Sequence, residues 1–427
     1  MAVLLGSLAL AGGQAVPQQT AHVEPLMQTG DGGDGKIKFY EQRVRQDPED
    51  FVADNALAGS YLRKVRETGD IQYLDLANRA AKASLASVPA IRNSGGVAAL
   101  AQAELASHSF TAARDHVQQL IELDPQPYSY GLLADTLLEL GDYAGAGAAV
   151  KQMEVRQRGQ TESSEIRQAR LSFLHGDLSG AQEHLSNALI FLKAHPAAPK
   201  ETIAWCQWQM GELAFVRGSY ADAEDSYRSS LGSFPGYFRA LAGLAKAQAA
   251  QGNIVGSADN YKHAIKRFPD PTFVAALGDL YKIRGNEHDA AAQFSLVEYI
   301  GHLSALSGVL YNRQLANYYA DHEINAEAAY EQAKQEYTTR RDIYGSDTLA
   351  WAALKAGKIS EAQSAIEQSL QLGTQDPRLL YHAGMIARAA GNKTAAASYL
   401  RKAQKLSPEF DPFQATRLRQ ALKSLEQ

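Results

Sequence analysis

The sequence contains a single cysteine and lacks the motifs of common catalytic and metal-binding sites. Cys206 alone cannot form an internal disulfide or a multi-cysteine zinc site. It stands between Trp205 and Trp208 with no basic residue nearby to stabilise a thiolate, which indicates a buried, inert thiol. No HExxH helix, G-x-S-x-G elbow or Walker loop occurs. We therefore expect a protein that is not an enzyme, with no catalytic residues, no metal and no cofactor.

Basic runs and long apolar runs are also missing. The formal net charge is -5, and lysines and arginines are scattered among acidic residues, so the mean field repels polyphosphate. We therefore expect no nucleic-acid partner. No stretch approaches the roughly 18 consecutive apolar residues of a membrane-spanning helix, so the mature chain is expected to have no membrane span.

The first residues resemble an export signal. Residues 1–17 read MAVLLGSLALAGGQAVP, an apolar run followed by small residues in which Gly13 and Ala15 have the spacing of an A-x-A-like cleavage site. The positive segment that normally precedes such a run is missing. We predict a signal peptide over residues 1–17 and an exported protein, periplasmic or secreted, with the cytoplasm as the alternative. Residues 18–35, rich in Gln, Thr, Asp and Gly, are predicted to form a flexible linker.

A helical hairpin recurs along the rest of the chain. Residues 204–235 carry small residues where two helices must approach closely (Gly211, Ala214 and Ala223), a large one where they interlock (Tyr227), a glycine between the helices (Gly218) and a proline at the end (Pro235). The central glycine recurs about every 34 residues, with two longer gaps, at Gly141, Gly176, Gly218, Gly252, Gly285, Gly357 and Gly391. This spacing predicts an array of two-helix repeats.

Residues 50–408 resemble the tetratricopeptide repeat (TPR) family, and bacterial multi-repeat TPR proteins in particular. The resemblance implies an all-α fold, a right-handed superhelical solenoid of about ten TPR-like hairpins with capping helices. We assign the array to residues 36–410 and a C-terminal capping helix to residues 411–427. Insertions at residues 195–200 and around 302–307 lengthen the spacing of two hairpins.

In TPR arrays the first helix of each hairpin lines the concave groove. Acidic residues such as Glu212 and Asp279 occupy some of these positions. The residues that we predict to bind a ligand are Trp205, Trp208, Phe215, Arg239, Lys246, Arg313, Asn317, Trp351, Arg378 and Tyr381. Tryptophan and arginine often anchor interfaces because they combine a large contact area with a polar group. The alternative is that the tryptophans pack between helices.

A second resemblance concerns the terminal carboxylate of a peptide. Some co-chaperone TPR domains hold this group with a basic residue and an asparagine four apart, a second asparagine, and two further basic residues. Arg313 and Asn317 are similar to the first pair, and Arg378 with His382 is similar to the last, whereas Thr348 replaces the middle asparagine. Donors from three hairpins would bind a carboxylate by charge-assisted hydrogen bonds.

These observations predict a non-catalytic scaffold or adaptor that binds a protein or peptide in its concave groove. One alternative is a metal- or small-ligand-handling protein or an enzyme, with a site assembled across the groove from His302, His322 and His382. The other is a structural array whose function is self-association.

Overall fold

A computed structural model describes residues 32–307 and 312–426, and these residues form helices and turns without any strand. The predicted all-α solenoid of helical hairpins is confirmed. The predicted signal peptide and residues 18–31 of the predicted linker lie outside the described residues. The helices are α1 Gly32–Gln46, α2 Phe51–Thr68, α3 Gln72–Ser87, α4 Ser94–Ala106, α5 Phe110–Leu123, α6 Pro127–Glu139, α7 Tyr143–Gln157, α8 Glu162–Leu174, α9 Leu178–Ala194, α10 Lys200–Val216, α11 Tyr220–Ser233, α12 Phe238–Ala250, α13 Ile254–Arg267, α14 Pro271–Ile283, α15 Glu287–Ser307, α16 Asn312–His322, α17 Ala326–Thr339, α18 Ile343–Lys355, α19 Ile359–Ser369, α20 Pro377–Ala389, α21 Lys393–Leu406 and α22 Gln414–Leu425, with a 3₁₀ turn at Ala90–Arg92.

The chain divides into two compact units, one ending at residue 167 and one beginning at residue 168. In the first unit, α2 pairs with α3, α4 with α5 and α6 with α7. In the second unit, every even-numbered helix from α10 to α20 pairs with the helix that follows it, and α22 packs on α21 and α20. Several first helices also pack on the first helix of the next hairpin, as α16 does on α18, which is the arrangement of a solenoid.

Glycine ends the first helix of most hairpins, as the sequence predicts. The seven glycines of the predicted frame all have positive φ, from 74° at Gly218, Gly285 and Gly357 to 82° at Gly252. A side chain is strained in this left-handed conformation, so glycine allows the sharp reversal between the helices. At four of these turns the residue between the glycine and the second helix is Asp or Asn, and its side chain caps that helix: Asp142, Asp177, Asn253 and Asn392.

Small residues let the helices approach closely around Tyr227. Its side chain is fully buried between α10, α11 and α12. A Cβ atom at Gly211 would lie 2.5 Å from the Tyr227 ring, and one at Gly243 would lie 2.4 Å from it. Only glycine therefore fits at these two positions while the tyrosine keeps its place.

Three boundaries differ from the predicted frame. Helix α10 begins at Lys200 rather than Ala204, directly after Pro199, whose fixed φ suits the residue before a helix. Helix α15 continues to Ser307 through the predicted insertion at 302–307, because nothing in that stretch breaks a helix. Helix α1 starts at Gly32, before the predicted start of the array at residue 36. Within the described residues no helix is both long and apolar enough to cross a membrane.

Candidate ligand-binding cavity

A cavity of about 140 Å³ lies on the inner surface of the second unit. Its walls are formed by first helices α10, α12, α14 and α20, and by residues 409–412 of the segment that joins α21 to α22. The space exists because α12 and α14 present small residues there, Ala242, Gly243 and Ala276. The cavity thus lies on the surface that the repeat frame predicts to bind a ligand.

The wall from α10 combines aromatic rings with a fixed ion pair. Lys246 of α12 places its Nζ atom 2.8 Å from Oε2 of Glu212 and 4.2 Å from the centre of the Phe215 ring. The Tyr227 hydroxyl donates a hydrogen bond of 2.5 Å to Oε1 of Glu212. Burial, together with the charge of Glu212, raises the pKa of Tyr227 well above its usual value, so this donor keeps its proton. Glu212 is thus held by Tyr227 and Lys246 together, and its carboxylate neutralises the charge of Lys246 within the protein.

Arg239 has a different environment. Its guanidinium lies 5.5 Å from the centre of the Trp208 ring and 5.1 Å from that of Phe238, within the range of cation–π attraction. The side chain is half-buried and lines the cavity. Among the residues that the structure describes, none forms a hydrogen bond or ion pair with this guanidinium. Arg239 is therefore placed to bind an anionic group of a ligand.

The opposite side of the cavity contains a buried acid–histidine pair. Oδ1 of Asp279 lies 2.8 Å from Nε2 of His322, and Nδ1 of the same ring lies 2.8 Å from the carbonyl oxygen of Tyr318. Burial raises the pKa of Asp279 to about 6. Burial lowers the pKa of His322, but the hydrogen bonds with Asp279 and Tyr318 and the charges of Asp279 and Asp321 together outweigh it, so the net shift is upward. Both ring nitrogens of His322 face oxygen atoms that accept hydrogen bonds, which favours the doubly protonated, positively charged imidazole at mildly acidic pH.

Asp321 connects three elements near the cavity. Its carboxylate accepts hydrogen bonds from Nε1 of Trp351 at 2.8 Å, from Nη2 of Arg378 at 3.1 Å and from Nε2 of Gln414 at 2.6 Å. The buried carboxylate of Asp411 accepts from two backbone N–H groups at the start of α22, including that of Gln414. Burial raises the pKa of Asp411. The beginning of α22 is thereby fixed to the repeats.

A chain of hydrogen bonds joins the last repeat to a much earlier one. The backbone N–H of Glu409 donates to the Tyr220 hydroxyl at 2.7 Å, this hydroxyl lies 3.0 Å from Oγ of Ser407, and Ser407 donates to the carbonyl of Phe215 at 2.9 Å. Thr374 donates a further hydrogen bond to a carbonyl at the end of α8. Residues 409–412 are thus held as one wall of the cavity.

Half of the predicted ligand-binding residues meet at this cavity. The structure brings together Trp208, Phe215, Arg239, Lys246 and Arg378 as lining residues. The other predicted residues lie outside the lining of this cavity: Trp205, Arg313, Asn317, Trp351 and Tyr381.

Arg313 and Asn317 are buried within the repeats. Nη2 of Arg313 lies 2.9 Å from Oδ1 of Asp342, and its Nε atom lies 3.1 Å from Oε1 of Glu336. Arg378, the other predicted carboxylate-binding arginine, contacts Asp321. Both guanidinium groups of the predicted carboxylate site therefore hold carboxylates of the protein itself. The frame placed them on the correct helices, but sequence spacing does not reveal acidic partners from neighbouring repeats.

Trp351 and Tyr381 are fully buried. The indole of Trp351 stacks on the imidazole of His382, with ring centres 4.1 Å apart, and lies 5.6 Å from the Tyr381 ring. The packing alternative raised above describes both side chains. Trp205 is half-buried, and its ring centre lies 6.4 Å from that of Trp208.

Several lining residues were not among the predicted set. Phe410 and Asp411 belong to the segment between α21 and α22, and a rule that counts positions on first helices cannot reach them. Thr272 and Phe273 lie at the start of α14. Thr272 is the second residue of its helix, as Arg239 is of α12, so the repeat frame contained the signal that would have found it.

The histidines do not assemble into a metal site within the described residues, where no group of three or more potential ligands from His, Cys, Asp and Glu comes together. His382 is instead bonded to Asp347, with Nδ1 2.8 Å from Oδ1, and His322 to Asp279. Cys206 is fully buried.

The family model described as tetratricopeptide repeat matches residues 98–160, 209–272 and 348–409. The chain carries tetratricopeptide repeats. Each matched region covers TPR hairpins of the structure, including α12, α18 and α20, and TPR arrays generally serve as scaffolds for protein interactions.

Solved structures show similarity at low identity. A TPR protein from Parabacteroides merdae is 19% identical, with 62% of this chain and 99% of that chain covered and a TM-score of 0.34. Human IFIT1, in a dimer structure with PPP-AAAA, is 15% identical, with 87% and 85% covered and a TM-score of 0.46. The TPR domain of P58(IPK) is 14% identical, with 78% and 97% covered and a TM-score of 0.24. A search of curated proteins found no match.

Proposed function

We propose that this TPR protein is a non-catalytic adaptor that binds an extended segment of a partner protein in the cavity of its second unit. The observation that carries the proposal is the lining of the cavity, where Trp208, Phe215 and Phe273 surround a space beside the guanidinium of Arg239. Rigid aromatic surfaces next to a few fixed polar groups are typical of the anchoring points of interfaces.

The surrounding contacts favour binding over catalysis. Lys246 is paired with Glu212 and Arg378 with Asp321, so these side chains are held in place before a ligand arrives. A preformed site loses little conformational entropy when it binds. A small-ligand or metal-handling protein and a self-associating array remain the alternatives.

The acidic residues of the cavity argue against nucleic acid as the ligand. Four acidic residues line the cavity beside three basic ones, Arg239, Lys246 and Arg378, and the whole chain carries a formal net charge of -5. Several carboxylates so close together repel a run of phosphates. We therefore propose a peptide ligand and no nucleic acid. Export through the predicted signal peptide stays part of this proposal, and fractionation of cells would test it.

The proposal is tested by selecting random twelve-residue peptides on phage against the immobilised wild-type protein. The Ala242→Phe variant places a phenyl ring in the cavity, and the control Val255→Phe introduces the same side chain at an exposed position of α13. Selected peptides should bind wild type and control but not Ala242→Phe, provided that circular dichroism shows all three proteins folded. Peptides that bind Ala242→Phe equally well, or the absence of any enriched peptide, would overturn the proposal.

A further inference from the structure

One end of the cavity is already occupied by the chain's own residues 409–411. The Phe410 side chain is buried, and its ring centre lies 5.6 Å from that of Tyr381. The neighbouring carboxylate of Asp411 interacts electrostatically with Arg378. The Phe410 ring thus packs near an aromatic ring of α20, and the carboxylate next to it interacts electrostatically with a guanidinium of the same helix.

Helix α12 repeats part of this arrangement. Arg378 is the second residue of α20 and Arg239 is the second residue of α12, and both line the cavity. Three residues further along, α20 has Tyr381 whereas α12 has Ala242. The side of the cavity beside Arg239 therefore has a guanidinium, as α20 does, but has the small side chain of Ala242 where α20 has the tyrosine ring.

Neighbouring helices supply aromatic rings to this open side. Trp208 of α10 and Phe273 of α14 line the cavity around Arg239. The two arginines differ in their partners. Arg378 forms an ion pair with the carboxylate of Asp321 at 3.1 Å, whereas Arg239 has no ion pair or hydrogen bond with a described residue and interacts electrostatically with the buried carboxylate of Asp270. Both sides offer a guanidinium beside aromatic rings, and on the α20 side the chain's own Phe410 already packs near those rings.

We propose that the open side binds a peptide segment in which an acidic residue adjoins an aromatic one, with the carboxylate on Arg239 and the ring against Trp208 and Phe273. This inference rests on the proposed function and specifies its ligand. A basic segment would be repelled by Arg239, and a polyanion would meet Glu212 and Asp279 further along the cavity. A peptide with one or two carboxylates beside an aromatic ring is neither basic nor a polyanion, so it meets both conditions.

The chain's own segment provides the probe. A synthetic peptide with residues 407–413, acetyl-SPEFDPF-amide, is titrated into the full-length protein by calorimetry, beside acetyl-SPQFNPF-amide, which keeps the shape but lacks both carboxylates, and acetyl-SPEADPF-amide, which lacks the central ring. The acidic–aromatic peptide should bind at least about tenfold more tightly than either control, since each control loses a charge-assisted hydrogen bond or the buried ring.

Protein variants locate the contact. Arg239→Gln should weaken binding of acetyl-SPEFDPF-amide at least about tenfold. Binding of acetyl-SPQFNPF-amide should stay unchanged, because this peptide has no carboxylate for the guanidinium to bind. Arg284→Gln removes an exposed arginine at the end of α14 and should change neither affinity. Equal binding of the acidic and amide peptides, no effect of Arg239→Gln, or no binding of the acidic peptide would overturn the proposed ligand.

The phage selection separates this failure from failure of the proposed function. If selected peptides are lost in Ala242→Phe yet lack an acidic residue next to an aromatic one, the cavity binds peptides and the ligand class proposed above is wrong. If the selected sequences are enriched in such pairs, the ligand class is supported.

Discussion

Replacement of Gly243 by alanine tests whether the repeats are packed as closely as the structure shows. A Cβ atom at this position would lie 2.4 Å from Cε1 and 2.7 Å from Cδ1 and Cζ of Tyr227. The ring is fully buried and its hydroxyl is bound to Glu212, so it cannot move aside without breaking that hydrogen bond. Either the ring or the backbone of α12 must shift.

The expected cost follows from two opposing effects. Overpacking of a well-packed core costs about 1–3 kcal/mol, and the severity of this overlap indicates the upper end of that range. Alanine gains about 1 kcal/mol over glycine in a helix interior. We therefore expect Gly243→Ala to lower the free energy of unfolding by about 2 kcal/mol.

Gly232→Ala is the matched control, since a Cβ atom there would have no neighbouring atom within 4 Å. It lies in α11 of the same unit and should leave stability unchanged or raise it by up to about 1 kcal/mol. Both variants are measured by urea denaturation followed by far-UV circular dichroism. If Gly243→Ala is as stable as Gly232→Ala, the close approach of α12 to Tyr227 is wrong.

Two further predictions concern buried charges. Burial raises the pKa of Asp279 from 3.8 to about 6, so the stability that this group contributes is fully present below pH 3.8 and is lost as the pH rises through about 6, by at most about 3 kcal/mol. The raised pKa of His322 acts in the same direction at higher pH, and its contribution, present below pH 6.5, is lost as the pH rises through its folded value. Asp279→Asn should therefore flatten the dependence of the urea midpoint on pH between 4 and 6, and a wild-type slope would contradict this account. Arg313→Leu removes the cation of the partly buried Glu336 carboxylate and leaves the buried Asp342 carboxylate with Arg340 alone, so it should lower stability by about 3 kcal/mol, measured by thermal unfolding. A variant that unfolds like wild type but loses a peptide ligand would instead support the binding role predicted from the sequence.

The repeat frame could be predicted because each turn depends on local chemistry. Gly218 and Gly252 adopt left-handed backbone conformations that other residues tolerate poorly, so the need for glycine is visible in the sequence. Gly211, which the sequence marks as a point of close helix approach, is explained by the Tyr227 ring, which would lie 2.5 Å from a Cβ atom there. Fold class and hairpin positions follow from such residues.

The site could be predicted only in part, because burial depends on partners from other repeats. Trp208 and Trp351 both lie on first helices, but Trp351 donates to Asp321 and stacks on His382, whereas Trp208 faces the cavity. The wall formed by residues 409–412 depends on the return of the chain to a distant repeat, and no periodic signal reports such a return.

That return has a consequence for how the second unit unfolds. In an open row of repeats, each end has only one neighbour and frays first. Here Ser407 is hydrogen-bonded to Phe215, 192 residues earlier in the chain. The C-terminal end of α21 is therefore held by an earlier repeat as well as by its own neighbours, so it is protected against fraying. Hydrogen exchange should accordingly be slow in α21 as well as in the middle helices, and the repeats should open together rather than one by one.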